Sequence, residues 1–72
     1  MRYDRALLAD VAERIASTEN RYGKLQARIE RLKHEGSDPR QDEETLLFVG
    51  NTLRRLYDQQ SAMRRSNWVI AA

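Results

Sequence analysis

The sequence predicts an all-α fold, an antiparallel helical hairpin that dimerises into a four-helix bundle. Three observations carry that expectation. Mostly apolar residues recur every three or four positions at Leu8, Val11, Ile15, Thr18, Tyr22, Leu25, Ile29 and Leu32. The same period returns at Leu46, Val49, Leu53, Leu56, Gln60 and Met63. Between the two runs stands Gly36-Ser37-Asp38-Pro39, a break made of turn formers. A chain of 72 residues has room for one domain.

Helix one is predicted over residues 4–35. The Asp4 carboxylate can accept from the free N–H groups of the first turn, and Ala6, Leu7, Leu8 and Ala9 favour helix. In heptad lettering, Leu8, Ile15, Tyr22 and Ile29 take position a. Val11, Thr18, Leu25 and Leu32 take position d, completing a coiled-coil-like seam whose imperfect layers are Thr18 and Tyr22. Gly23, one residue past the seam, costs about 1 kcal/mol of helix propensity. His34 falls in the last turn, where a cation complements the helix dipole.

The turn is predicted over residues 36–38. Gly36 suits the left-handed position after a helix, and Pro39 suits the first position of the next one. Gln41 stands three residues after Asp38, the spacing of a capping box. Asp42, Glu43 and Glu44 put negative charge at the positive end of helix two.

Helix two is predicted over residues 39–66, with Leu46 and Leu53 at a and Val49, Leu56 and Met63 at d. Gln60 is a polar interruption at a, read as a tolerated glutamine within reach of solvent. Residues 67–72 form a C-terminal tail, unusually apolar at Trp68-Val69-Ile70, and expected to pack within the protein or its oligomer. Counting outward from the turn pairs Ile29 with Leu46, Leu25 with Val49 and Tyr22 with Leu53 or Thr52. Further out, Thr18 meets Leu56, Ile15 meets Gln60 and Val11 meets Met63. Gly23 and Gly50 fall at similar heights and are read as two tolerated glycines with no shared task.

The seam leaves large apolar groups unused. A two-helix monomer buries a core one layer thick, so self-association is the physical expectation. Leu47, Phe48, Tyr57 and Trp68 are the predicted partner-binding residues, in a homo-oligomer or against another protein. The expected function is a small protein–protein interaction or regulatory module.

The alternative is a nucleic-acid-associated protein using Arg54, Arg55, Arg64 and Arg65 as phosphate contacts. Arg14, Arg21 and Arg28 also recur every seven residues, at position g, with Lys24 and Arg31 assigned to another side. The formal charge of +2 is small, and acidic residues are interleaved with the cations. Pairs such as Asp10–Arg14 and Arg54–Asp58 have the spacing of helical ion pairs. A solvated mixed-charge surface is therefore the preferred reading over nucleic-acid binding.

No enzyme is predicted. His34 has Glu30 and Glu35 nearby, too few ligands for a metal site. The serines lack a base and an orienting group, and the glycines form no phosphate-cradling motif. No catalytic, cofactor-binding or metal residue is assigned, and no cofactor is expected. There is no cysteine, which fits a reducing compartment. The charged start Met1-Arg2-Tyr3-Asp4-Arg5 does not read as a signal peptide. No apolar run reaches the roughly 18 residues of a membrane span, so a cytoplasmic location without transmembrane association is expected.

Overall fold

A computed structural model describes the backbone of residues 5–71 and the side chains of residues 5–66. Helix α1 spans Arg5–His34 and helix α2 spans Arg40–Ala71, and the two pack against each other as a hairpin. Asp4 lies outside the described residues. α2 continues to Ala71, past the expected end near residue 66, so the backbone of the apolar segment prolongs the helix.

Local chemistry explains the reversal. The Gly36 N–H donates to the Lys33 carbonyl at 3.1 Å, and the Ser37 N–H donates to the Leu32 carbonyl at 2.8 Å. These two bonds make a Schellman closure, which requires a left-handed residue between them. Gly36 supplies it with φ of 77°; any residue with a Cβ there would cost about 1–2 kcal/mol. On the far side, Asp38 Oδ1 accepts the Arg40 N–H at 3.0 Å. The Pro39 carbonyl accepts the Glu43 N–H at 2.9 Å, placing proline where its missing N–H is harmless. The Asp38–Arg40 contact is a simple N-cap bond to the second helical N–H; the reciprocal Asp38–Gln41 bonds of a capping box are not made among the described residues. Arg31, Lys33 and His34 end α1, and Asp42 and Glu43 begin α2, so both helix dipoles meet opposite charge.

Every seam position from Leu8 to Met63 is buried or half-buried, Thr18 and Gln60 included. The buried apolar residues are Val11, Ile15, Ile29, Val49 and Met63. Val11, Ile15 and Met63 form a cluster, with Leu8, Leu53 and Leu56 packed against it. This cluster joins the helices at the end remote from the turn, and it sets Val11 beside Met63 as outward counting requires.

The Tyr22 ring approaches Gly50 of α2. It reaches toward the turn, and its Cε2 lies 3.3 Å from where a Cβ on Gly50 would stand. A Cβ on Gly23 would meet nothing within 4 Å. The two glycines thus have separate circumstances: one seats an aromatic ring and the other faces open space.

The hairpin is long and thin, 55 × 15 × 14 Å, with a radius of gyration of 16.5 Å. A compact domain of this length would have about 11 Å. Its accessible surface is 5964 Å², whereas a compact monomer of 8.5 kDa exposes about 4,700 Å².

Candidate interaction surfaces

An antiparallel hairpin has two flanks, and helical geometry decides which residues occupy each. Positions e and b of both helices turn to one side of the seam, and positions g and c turn to the other. The structure marks the first flank by a bond across the helices: the Tyr57 hydroxyl donates to Glu19 Oε2 at 2.7 Å. Both residues are at e.

On the first flank α1 presents small residues, Ala9, Ala12, Ala16 and Gly23, together with Arg5, Glu19, Gln26, Glu30 and Lys33. From α2 come Arg40, Glu43, Leu47, Gly50, Arg54, Tyr57 and Arg64. Its three acids stand among five bases, so this flank is mixed in charge, with a net of +2. Near the turn a shallow groove runs between the helices, bounded by Gln26, Lys33, Glu43 and Leu47 with Ile29 and Leu46 in its floor. Leu47 is 70% exposed and Tyr57 40%.

The second flank is different. α1 contributes Arg14, Arg21, Lys24, Arg28 and Arg31, and α2 adds Arg55: six cations, with Asp10 as the one acid among the helical g and c positions. The remaining acids of the helices lie on the first flank, at the turn end of the seam, or on the outer faces, where Glu13, Glu44 and Asp58 are found. Phe48, 70% exposed, belongs to this basic flank.

Two ion pairs temper the turn end of the basic flank. Arg28 Nε lies 2.7 Å from Asp42 Oδ2, whose side chain is 17% exposed. That oxygen has no properly aligned hydrogen-bond donor, so proximity of charge, not a well-formed N–H···O bond, holds the pair. Arg31 lies 4.0 Å from Glu35 and is well exposed, a geometry that contributes little. The pairs Asp10–Arg14 and Arg54–Asp58, expected from spacing, do not close among the described residues. Both partners of each point to solvent, where closing a pair gains little against side-chain entropy.

The predicted contact residues do not share one surface. Leu47 is on the mixed-charge flank and Phe48 on the basic one, because consecutive helical residues are about 100° apart. Tyr57 spends its hydroxyl on Glu19 and keeps an exposed ring edge. The side chain of Trp68 lies outside the described part. The arginine set divides likewise: Arg54 and Arg64 on the mixed-charge flank, Arg55 on the basic flank, Arg65 on the outer face, all exposed. Lys24 and Arg31 share the flank of Arg14, Arg21 and Arg28. Position g follows c by four residues, as Arg28 follows Lys24, and that spacing was the available signal.

Among the described residues no group of three or more His, Asp or Glu side chains gathers to hold a metal. Nor is any helix long and apolar enough to cross a membrane. The chain matches no family model, and no curated protein or solved structure is significantly similar to it.

The Tyr57–Glu19 bond has a titration signature. Donating to a carboxylate raises the Tyr57 pKa above its ordinary 10.0, and partial desolvation and the Glu19 charge push the same way. A raised folded-state value means the hairpin favours the protonated phenol. Its contribution is present below pH about 10 and is lost as the pH climbs through the raised value. An ultraviolet phenolate titration should show one tyrosine ionising late. Glu19→Ala should return it to the ordinary range, and Tyr57→Phe should remove it.

Proposed function

We propose that the chain is a small protein–protein interaction module that works as a dimer of hairpins, joined through their mixed-charge flanks into a four-helix bundle. The observation that supports this most is the surplus of surface. The hairpin exposes 5964 Å², roughly 1,300 Å² more than a compact monomer of its mass. A standard interface takes about 800 Å² from each partner, so one such contact removes most of the surplus.

Charge selects the flank. Two basic flanks, each with six cations and one acid, would repel one another, whereas the mixed flank, with three acids among five bases, can set opposite charges against a copy of itself. Ala9, Ala12, Ala16 and Gly23 leave room for a neighbouring helix at short interaxial distance. Leu47 and the Tyr57 ring supply apolar contact, and the groove at Ile29 and Leu46 receives it.

Light scattering over a range of concentrations tests the reading. The wild-type mass should rise from 8.5 kDa toward twice that value. A variant carrying Ala16→Arg and Leu47→Glu should stay at the monomer mass, and Phe48→Ser should behave as wild type. A wild type that remains monomeric throughout overturns dimerisation. Dissociation caused by Phe48→Ser would transfer the interface to the basic flank.

A further inference from the structure

We propose that the basic flank binds single-stranded nucleic acid, with Phe48 as a stacking surface for a base and Arg14, Arg21, Lys24 and Arg55 as phosphate contacts. This does not depend on self-association, since a monomer carries one such flank and a dimer joined by its mixed-charge flanks carries two.

The first support is segregation of charge. The whole chain has a formal charge of only +2, yet six of its cations share one flank with a single helical acid. Arg14, Arg21, Lys24 and Arg55 have no ion-pair partner among the described residues, so their donors are free for an external anion. Arg14 to Arg31 covers about 25 Å of helix, a length that several nucleotides can follow. Arginine also matches phosphate with paired N–H donors.

The second support is Phe48. At 70% exposure it wets a phenyl ring that the hairpin core does not use. Counting along both helices from the Glu19–Tyr57 bond sets Phe48 level with Arg28, and Arg55 follows it by two turns of α2. An exposed aromatic ring set between cations is the arrangement by which single strands are held: charge tracks the backbone and the ring stacks on a base, whichever base it is. A duplex hides its base faces, and a polyanion without bases gains nothing from a phenyl group. The ring therefore favours a single strand over both.

The test is fluorescence anisotropy of a labelled oligouridylate titrated with the full chain at several salt concentrations. Inorganic polyphosphate and a duplex of equal length serve as competitors. Saturable binding that weakens linearly in log salt is expected. Arg21→Glu and Arg55→Glu should each weaken it about tenfold or more. Arg65→Glu alters net charge equally from the outer face and should weaken it by less than about threefold. Phe48→Ala should cost the single strand about tenfold and leave polyphosphate affinity unchanged. All four side chains are exposed, so helical circular dichroism should match wild type in every variant. Absence of binding at low salt overturns the proposal, as does an equal loss on Arg65→Glu. Indifference to Phe48→Ala, or stronger competition by polyphosphate or duplex, would reduce the flank to a general polyanion surface and overturn the assignment to single strands.

Discussion

Met63→Ala is expected to destabilise the hairpin by about 2–5 kcal/mol, lowering its melting temperature by roughly 10 °C or more. Met63 is 3% exposed and forms the cluster with Val11 and Ile15 that ties the helices together far from the turn. Truncation removes most of the α2 share of that cluster. The rod is too thin for neighbouring layers to collapse into the space, which places the cost toward the upper part of the range. Thermal circular dichroism at one fixed protein concentration is the measurement, since self-association would make the midpoint concentration-dependent. The exposed Arg65→Ala provides a matched control on the same helix. A loss below about 1 kcal/mol would mean that α1 and α2 do not close on each other at this end.

Gly50→Leu should produce the second large effect, a loss of about 1–3 kcal/mol from overpacking. Helix propensity alone predicts the opposite sign, since any ordinary residue outranks glycine inside a helix by up to about 1 kcal/mol. The Tyr22 ring decides between them. Its Cε2 would stand 3.3 Å from the new Cβ, and the rest of the leucine side chain must displace the ring or push the helices apart. A double-mutant cycle with Tyr22→Ala isolates this contact. The combined loss should fall short of the sum of the two single losses by about 1 kcal/mol. Additive losses would show that ring and glycine do not meet.

These two positions differ in how far the sequence foretold them. Met63 was assigned to the seam, opposite Val11, from periodicity and a count outward from the turn. Both steps are local: a 3.6-residue helix with one apolar stripe has few ways to bury it. Gly50 was recognised as small, but its contact with Tyr22 required the ring's rotamer, which spacing does not contain. The bond between Tyr57 and Glu19 was equally hidden, since its partners are separated by 38 residues.

Charge was the least legible property. Asp10, Glu13 and Arg14 read along the chain as a mixture. Successive residues on a helix point about 100° apart, so a linear mixture can resolve into separate faces. Here it resolves into a flank of mixed charge and a strongly basic one. The interleaving that argued against a cationic surface disappears once the two helices share a common frame. The same rotation separates Leu47 from Phe48, neighbours in sequence that were expected to serve one contact.

By itself, the sequence determined two helices, the bend between them and the stripe that each buries, because caps, turns and periodic burial depend on residues a few positions apart. Only the tertiary structure decided which side chains lie together on each flank, where Tyr22 and Tyr57 direct their rings, and which cations remain without a partner. Those outcomes depend on the rotation and register of one helix against the other, quantities set by side-chain packing across the seam.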